Sequence, residues 1–405
     1  MERSVFDAAY KCAEWMYLNQ VRNRLDANSG RVLCIYEEAR DYAELTTSWQ
    51  TGGAAMGFLA MYKRTGDAKY LDAAEYAGHY IMSLQVMDPR VDKYYGTIRE
   101  CTPQSVEFCP RDATTAAWAL VWLYETTRNS EYLDRAVRFA EWHLKYGMYN
   151  GWPKWAVFMD HQFTDYYAQG SFQSGTGLFY HDLFLQTGDT RYIEFGLKPI
   201  AENYLKNFIS DSGKLILERR IFSNRVSDRE GENIEQSIHN FNDDFGNQML
   251  QAAADLFGDE KYREAARRFA RFLAERQMES GYFGFPDNIV QSAVPMALMY
   301  FDELGSYYQD EVLLQAREKT LKRLLQMQIL DTGNPKLYGA FEGTPDDHRQ
   351  ADPRRSTNMR TTMYSLMALL KVEHKIRNYW LGGGDNDGFT DPLDSIAEHP
   401  YPVKW

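Results

Sequence analysis

The chain has 405 residues and a formal net charge of −12, and 44% of its residues are hydrophobic and 15% aromatic. An acidic chain without a basic stripe is a poor ligand for nucleic acid, and no run of about eighteen apolar residues is present that would span a membrane. The composition therefore excludes nucleic acid and membrane as main partners. It leaves room for a saccharide, including an anionic one bound at a local cationic site.

Cysteine use and the start of the chain bear on the compartment. No apolar signal segment follows Met1, and the four cysteines lack zinc or redox spacing. These features predict a reduced, cytoplasmic protein, whereas a signal segment removed before Met1 would make it secreted or periplasmic. Cys101 and Cys109 flank a loop and could pair only in an oxidising compartment. Either a monomer or a homodimer is compatible with the sequence.

A short phrase recurs along the chain and first appears at residues 65–71, Thr-Gly-Asp-Ala-Lys-Tyr-Leu. It returns at residues 127–133, 187–193 and 257–262, and in altered form at residues 304–308. A glycine after a helix favours a left-handed end, and the Asp or Ser that follows caps the next helix, so each copy predicts a tight helix–helix turn. Copies mostly about 60–70 residues apart predict an array of helical hairpins.

Two kinds of helix alternate between these turns. One kind is amphipathic, and the other is rich in small residues that let helix axes approach closely in a crowded centre. Charged outer helices and small-residue inner helices predict an all-α (α/α)6 toroid, a double ring of about twelve helices in one domain over residues 1–371, with residues 372–405 as a tail packed on it. The predicted pairs, outer then inner, are 5–22 with 47–63, 68–85 with 112–126, 131–146 with 172–186, 190–206 with 242–256, 260–277 with 287–303, and 309–327 with 357–371.

The connections from outer to inner helices are mostly long and aromatic, and long loops on one face often carry function. Because they end where inner helices begin, we expect six helix N-termini to converge on one funnel with unpaired N–H groups and positive dipole ends. Such a field suits an anionic group or a developing oxyanion. Aromatic loop residues such as Trp49, Trp152 and Tyr338 could stack on sugar faces or simply pack the loops.

Asp243 and Asp244 follow Asn242 at the predicted start of the fourth inner helix. A glycosidase needs one carboxyl group that donates a proton and another that is ionised. Because helix neighbours point about 100° apart, we expect at most one of the two to face the centre of the funnel. The alternative is helix capping, with Asn242 as N-cap and the acids in the first turn.

Asp112, after Arg111, opens the second inner helix and could be the partner acid across the ring, or a plain N-cap. Arg111 could bind a carboxylate. His239 and Asn240 precede the aspartate pair, and His239 could act as a base, bind a uronate or make a local hydrogen bond. Trp49, Gln50 and Gln173 are candidates for contacts with sugar hydroxyls.

Two further inner helices carry polar candidates at their predicted starts. Asp287 and Asn288 open the fifth. Arg355, Arg360 and Tyr364 belong to the sixth, where Arg360 and Tyr364 lie four residues apart on one helical face. Tyr beside Arg suits a polysaccharide lyase, in which Tyr moves protons and Arg neutralises the uronate carboxylate. The alternative is that the two arginines pair with acids of the same funnel.

Motifs for nucleotide binding, zinc proteases and serine hydrolases are absent from the sequence. The acidic run at residues 384–388 does not have the spacing of a calcium-binding EF-hand loop and is better explained as a glycine-rich turn. We therefore expect no metal site and no obligatory cofactor.

The Thr-Gly-Asp turns and small-residue helices resemble the (α/α)6 carbohydrate-active superfamily over roughly residues 5–371. That group includes unsaturated glucuronyl hydrolases, α-mannanases with an Asp-Asp pair, N-acylglucosamine 2-epimerases and toroidal uronate lyases. Asn242-Asp243-Asp244 followed by Gly246 resembles the α-mannanase pair, although in a later repeat. Arg111-Asp112 before a small-residue helix is similar to the unsaturated glucuronyl hydrolases, whose catalytic residues are aspartates.

We expect a carbohydrate-active enzyme that cleaves a glycosidic bond in a uronate-containing poly- or oligosaccharide, by hydrolysis through Asp112 and Asp243 or Asp244. Within the same class, the alternative is β-elimination through Tyr364 or His239. A sugar epimerase or a non-catalytic binding toroid is the alternative from a different class.

Overall fold

The computed structural model describes residues 4–159, 169–216, 218–222, 225–228, 238–285, 287–344 and 351–374. The tail from residue 375 onward, including the acidic run at 384–388, lies outside these residues. Twelve α-helices occur in the described part: α1 (Val5–Leu18), α2 (Ser48–Thr65), α3 (Ala68–Leu84), α4 (Pro110–Thr127), α5 (Ser130–Trp142), α6 (Thr176–Thr187), α7 (Lys198–Asn207), α8 (Gly246–Phe257), α9 (Lys261–Arg276), α10 (Ala293–Tyr308), α11 (Glu311–Met327) and α12 (Met359–His374).

Short strands occupy the long connections. They are β1 (Leu33–Glu37), β2 (Tyr42–Leu45), β3 (Glu107–Phe108), β4 (Met148–Tyr149), β5 (Trp152–Pro153), β6 (Val157–Phe158), β7 (Gln169–Gly170), β8 (Glu218–Phe222), β9 (Arg225–Asp228), β10 (Gly284–Phe285), β11 (Asn288–Ile289) and β12 (Ser356–Asn358). The pairings are antiparallel, in the orders β12-β1-β2, β7-β8-β9, β3-β6, β4-β5 and β10-β11.

The chain forms two compact units, and the division between them falls inside α3 and α9. In the first unit, residues 4–80 and 270–374, α12 packs against α1, α2 and α10, and α10 packs against α11. In the second, residues 81–269, α4 packs against α5 and α6, and α6 and α7 both pack against α8. The single domain over residues 1–371 stays a prediction.

The alternation of two helix types is confirmed by burial. The small-residue helix α4 is buried almost continuously from Pro110 to Leu123, and α2 is buried from Ser48 to Met61 apart from Gln50. The amphipathic helix α5 buries one face, formed by Tyr132, Ala136, Phe139, Ala140 and Trp142. A helix that is apolar or small on every side has neighbours all round, whereas an amphipathic helix covers the core with one stripe.

The recurring turns form as the sequence predicts. Gly66, Arg128, Gly188 and Gly258 end their helices in the left-handed conformation. The Asp or Asn that follows each of them accepts a hydrogen bond from the backbone N–H two residues on, and the tyrosine beyond is buried: Asp67 with Tyr70, Asn129 with Tyr132, Asp189 with Tyr192, and Asp259 with Tyr262. The turn predicted at 304–308 was wrong, because α10 continues through Tyr308, Gln309 is its C-cap, and Asp310 caps α11.

A second repeat, not predicted from the sequence, fastens the long loops to the neighbouring outer helix. Gln85 Nε2 donates to the carbonyl oxygens of Gly96 in its own loop (2.8 Å) and Arg135 in α5 (2.9 Å). Gly96 lies against the carbonyl oxygen of Arg138, one turn along α5. The same arrangement, which we term the Gln–Gly clasp, joins Gln20 and Gly30 to α3 and Gln328 and Gly339 to α1.

Candidate active site

The aspartate pair lies in a sharp corner, not in the first turn of a helix. Helix α8 begins at Gly246, and Asp244 and Phe245 adopt left-handed φ values of 47° and 76°. The predicted helix over 242–256, with the acids in its first turn, was therefore wrong at its start. Asn242 stabilises the corner instead, because its Oδ1 accepts a hydrogen bond from the Asp244 N–H at 2.9 Å. We call residues Asn242–Gly246 the aspartate corner.

Two glycines make room for this corner. A Cβ on Gly175 would come within 2.1 Å of the Asp244 carbonyl oxygen, and a Cβ on Gly246 within 2.0 Å of Ser174 Oγ. Consecutive left-handed non-glycine residues cost roughly 1–2 kcal/mol each, so the surrounding contacts must hold them in place.

The two aspartates of the corner have different partners. Asp243 is fully buried, and its Oδ2 accepts a hydrogen bond from the Tyr204 hydroxyl at 2.7 Å. Burial, and then the negative charge of Asp243, raise the pKa of Tyr204 well above its usual value. The side chain of Asp244 is 1% exposed, and its Oδ2 lies 2.8 Å from Arg111 Nη2.

Arg111 joins two acids that are far apart in the chain. Its Nη1 lies 3.0 Å from Asp112 Oδ1 while its Nη2 binds Asp244. Because both acids bind the same guanidinium, their contacting oxygens are at most about 8 Å apart. Asp112 is the accessible member, with a side chain 25% exposed compared with 1% for Asp244. Asp112 lies in the first turn of α4, whose N-cap is Cys109, so Asp112 is not an N-cap.

A third acid, missed in the sequence, lies beside Asp112. One ligand atom each from Glu100, Cys109 and Asp112 falls within 4.8 Å of the others, and all three residues are half-buried. Burial, followed by the charges of Glu100, Asp112 and Glu107, raises the pKa of the Cys109 thiol far above its usual value. Within the described residues this group has the donor set for a divalent cation, and the expectation of no metal site and no cofactor stays a prediction. Cys101 and Cys109 are not joined by a disulfide bond.

Aromatic side chains lie next to the acids. His239 stacks on Phe172 with ring centroids 4.3 Å apart, and its Nδ1 lies 3.2 Å from the Asn242 carbonyl oxygen. Phe172 meets the exposed ring of Trp155 edge-on, and its carbonyl oxygen accepts a hydrogen bond from Arg111 Nε at 3.4 Å. The Asn240 Oδ1 atom is buried without a hydrogen-bond partner among the described residues.

Gln173 and Trp152 lie deeper than a substrate would reach in this structure. Trp152 is fully buried and stacks on Phe208 at 4.6 Å, and its Nε1 donates to Gln173 Oε1 at 3.2 Å. Gln173 Nε2 donates to the Pro153 carbonyl oxygen at 2.7 Å. Both side chains pack and connect the loops around the start of α6.

The remaining candidates belong to the first unit. Tyr364 is fully buried, and its ring lies 6.5 Å from that of Trp49, over which the Arg360 guanidinium lies at 5.1 Å. Gln50 Oε1 accepts the Thr47 N–H at 2.8 Å as part of a capping box, and Arg355 pairs with Glu38 at 3.2 Å. Tyr338 is exposed.

The expected helix start at Asp287 and Asn288 was wrong. Asn288 pairs with Phe285 in the β10–β11 hairpin, and α10 begins at Ala293. The candidates thus fall into two groups, and among the described residues it is Arg111, Asp112, Asp244 and their neighbours that bring acids together from separate elements.

No family model and no curated protein sequence matches the chain. Solved structures do match. An unsaturated glucuronyl hydrolase specific for heparin is 13% identical with a TM-score of 0.66, covering 92% of this chain and 99% of its own. Cellobiose 2-epimerase from Bacillus thermoamylovorans is 12% identical with a TM-score of 0.64, covering 91% of this chain and 99% of its own.

A third match carries a change at two consecutive aspartates. It is an inactive variant of an alpha-1,6-mannanase of Salegentibacter sp. in complex with alpha-1,6-mannotriose, 14% identical with a TM-score of 0.59, covering 91% of this chain and 98% of its own. These matches confirm the predicted all-α (α/α)6 fold class and the resemblance to toroid carbohydrate-active enzymes at the level of fold.

Proposed function

We propose that the protein is a glycoside hydrolase that cleaves a saccharide at the acids around Arg111. The observation that carries the proposal is the approach of Glu100 and Asp112, with donor atoms within 4.8 Å, beside an arginine that links Asp112 to buried Asp244. Carboxyl groups about 5–5.5 Å apart are typical of glycosidases that retain anomeric configuration through a covalent intermediate.

The two half-buried acids take different roles in this proposal. Asp112 is the nucleophile, because the guanidinium of Arg111 orients its carboxylate. Attack of this carboxylate on the anomeric carbon forms the glycosyl–enzyme bond. Glu100 donates its proton to the departing glycosidic oxygen and then, as a base, takes a proton from the water that hydrolyses the intermediate. Asp244 positions Asp112 through Arg111 and is too buried to touch the sugar.

The proposal places substrate next to aromatic and polar groups of the same unit. The exposed ring of Trp155 offers a stacking surface, and the half-buried side chain of Asp112 is the polar group beside it that a sugar can reach. The inactive mannanase variant supports a functional role for consecutive aspartates in this fold.

The preference for a uronate, expected from the sequence, loses one of its supports. Arg111 and Arg360 were candidate cations for a uronate carboxylate, and both terminal nitrogens of Arg111, the one beside the proposed catalytic acids, already bind carboxylates. An added anion beside Glu100, Asp112 and Asp244 would be repelled. We therefore propose a neutral saccharide as substrate.

The test is a panel of α-mannan oligosaccharides, unsaturated glucuronyl oligosaccharides, uronans and cellobiose. New reducing ends without new ultraviolet absorbance indicate hydrolysis, new reducing ends together with new ultraviolet absorbance from uronans indicate elimination, and a changed sugar without cleavage indicates epimerisation. We expect hydrolysis of a neutral member. Elimination or epimerisation would contradict the proposed hydrolysis, and cleavage of the uronides alone would contradict the proposed neutral substrate.

Variants assign the roles. We expect D112N to lower kcat about 10³-fold or more on every cleaved substrate, whereas E100Q should lose far less on an aryl glycoside whose leaving group needs no proton. D134N, on the exposed face of α5, is the matched control and should keep wild-type activity. Full activity in D112N would rule out Asp112 as the nucleophile.

A further inference from the structure

A buried carboxylate in the middle of α6 binds two tryptophans of α4. Asp182 Oδ2 accepts hydrogen bonds from Trp118 Nε1 at 2.6 Å and from Trp122 Nε1 at 3.2 Å, and its Oδ1 lies 2.9 Å from His181 Nδ1. Burying a carboxylate is unfavourable unless several hydrogen bonds compensate it, and here they fix the rotamers of the aromatic rings it contacts.

One of these rings supports the aspartate corner. Trp118 meets Phe245 edge-to-face, with ring centroids 5.9 Å apart and an interplanar angle of 89°. Phe245 is buried and has the larger of the two left-handed φ values of the corner, 76°. A non-glycine residue keeps this conformation when its side chain is held in place, because relaxation to an ordinary φ would move the ring.

The corner in turn presents Asp244 to Arg111. Asp244 immediately precedes Phe245, so a change in the backbone at Phe245 moves the Asp244 carboxylate that lies 2.8 Å from Arg111 Nη2. Arg111 then holds Asp112. A continuous series of contacts runs from Asp182 through Trp118 and Phe245 to the acids.

We propose that Asp182 is a positioning residue for the candidate active site and that it acts through Trp118 on the aspartate corner. The effect of Asp182 on catalysis rests on the proposed function. The effect of Asp182 on the aspartate corner is independent of any substrate. Trp122 binds the same carboxylate through the longer hydrogen bond, one turn further along α4, and provides the matched comparison.

The experiment compares W118F, W122F and D182N with the wild type by hydrogen exchange and mass spectrometry of peptides covering residues 241–250, at a temperature well below unfolding. We expect about ten-fold faster exchange in this segment for W118F and D182N, and a change of less than about two-fold for W122F. Equal effects of W118F and W122F, or unchanged exchange in W118F, would overturn the proposal. W118F keeps the test decisive if D182N does not fold.

Kinetics on a cleaved saccharide give the second readout. We expect kcat of W118F and D182N to fall about 10–100-fold with KM within about three-fold, because a small displacement of catalytic groups affects the transition state more than binding. Altered exchange with no saccharide cleaved by the wild type would leave the corner inference standing and would overturn the proposed function. Altered exchange with wild-type kcat in W118F would overturn the positioning role.

Discussion

At the scale of single residues, the role of a polar side chain depends on the groups that surround it after folding. A local sequence pattern does not show which groups these are. The pattern Arg111-Asp112 before a small-residue helix indicates two site candidates, whose roles stay predictions, and it does not show the ion pair between Arg111 and Asp244 that forms on folding. Glu100 lies in a loop without any motif, and Tyr204 lies on an amphipathic helix where its hydroxyl bond to Asp243 leaves no sequence signal. His143 is a further case, since it is fully buried with Nδ1 2.5 Å from the Tyr180 hydroxyl.

His143 makes the fold sensitive to mild acid. Burial, and then the charge of Lys154, lower its pKa from 6.5 to about 3. Its stabilising contribution is present above pH 6.5 and is lost as the pH falls towards 3, because the unfolded chain takes up a proton that the folded chain refuses. We expect unfolding free energy from urea titrations to fall by about 1.5–2 kcal/mol from pH 6.5 to pH 5 through this residue.

The variant H143Q isolates that effect. Its free energy of unfolding should be lower than that of the wild type at pH 7 but should fall less between pH 6.5 and pH 5. H79Q, at an exposed position, should keep the pH dependence of the wild type. An unchanged slope in H143Q would contradict the account of His143.

Cys109 reports on the acids beside it without any substrate. Because Glu100 and Asp112 contribute to the raised pKa of its thiol, we expect slow alkylation by iodoacetamide at pH 8 and several-fold faster alkylation in E100Q and D112N. Cys101, in the same loop, serves as the internal control. Equal rates at Cys109 in the wild type and in E100Q would mean that Glu100 does not lie near the thiol.

At the scale of elements, local chemistry predicts the turns and misses the long-range clasps. The Gly-Asp turns follow from the capping preferences of neighbouring residues, so the sequence predicts them, and Arg128 shows that a side chain is tolerated at the left-handed position. The Gln–Gly clasp joins a loop to a different helix, and the isolated Gln at each helix end has no distinctive sequence context. The starts of α8 and α10 were missed because the left-handed residues Asp244 and Phe245 precede α8, and the β10–β11 hairpin, which includes Asn288, precedes α10.

The Gln–Gly clasp contributes to stability because its glycine lets the loop backbone approach the backbone of the neighbouring helix closely. A Cβ on Gly96 would lie 2.4 Å from the Arg138 carbonyl oxygen at a φ of 100°, whereas Gly258, at a φ of 63°, has open space around it. We expect G96A to lower the free energy of unfolding by about 3 kcal/mol or more and G258A by about 1 kcal/mol. Chemical denaturation of both variants provides the comparison, and equal losses would show that strain at φ, and not the approach to α5, is responsible.

At the scale of the whole molecule, the repeat predicts the fold and leaves the reaction open. Proteins with this fold include a glucuronyl hydrolase, an epimerase and a mannanase, at 12–14% identity to this chain. The same framework supports different chemistries, so function depends on the site. None of the described helices is long and apolar enough to cross a bilayer. The convergence of six helix ends on one funnel stays a prediction, and the proposed function rests on the acids around Arg111.

Trapping the glycosyl–enzyme intermediate identifies the nucleophile of the proposed hydrolysis. A 2-deoxy-2-fluoro glycoside of the sugar that the panel identifies should slow hydrolysis of the glycosyl–enzyme, so that the adduct can be located by peptide mass spectrometry. We expect one sugar attached to Asp112. An adduct on Asp243, Asp244 or any other residue, or turnover by inversion without an adduct, would contradict it.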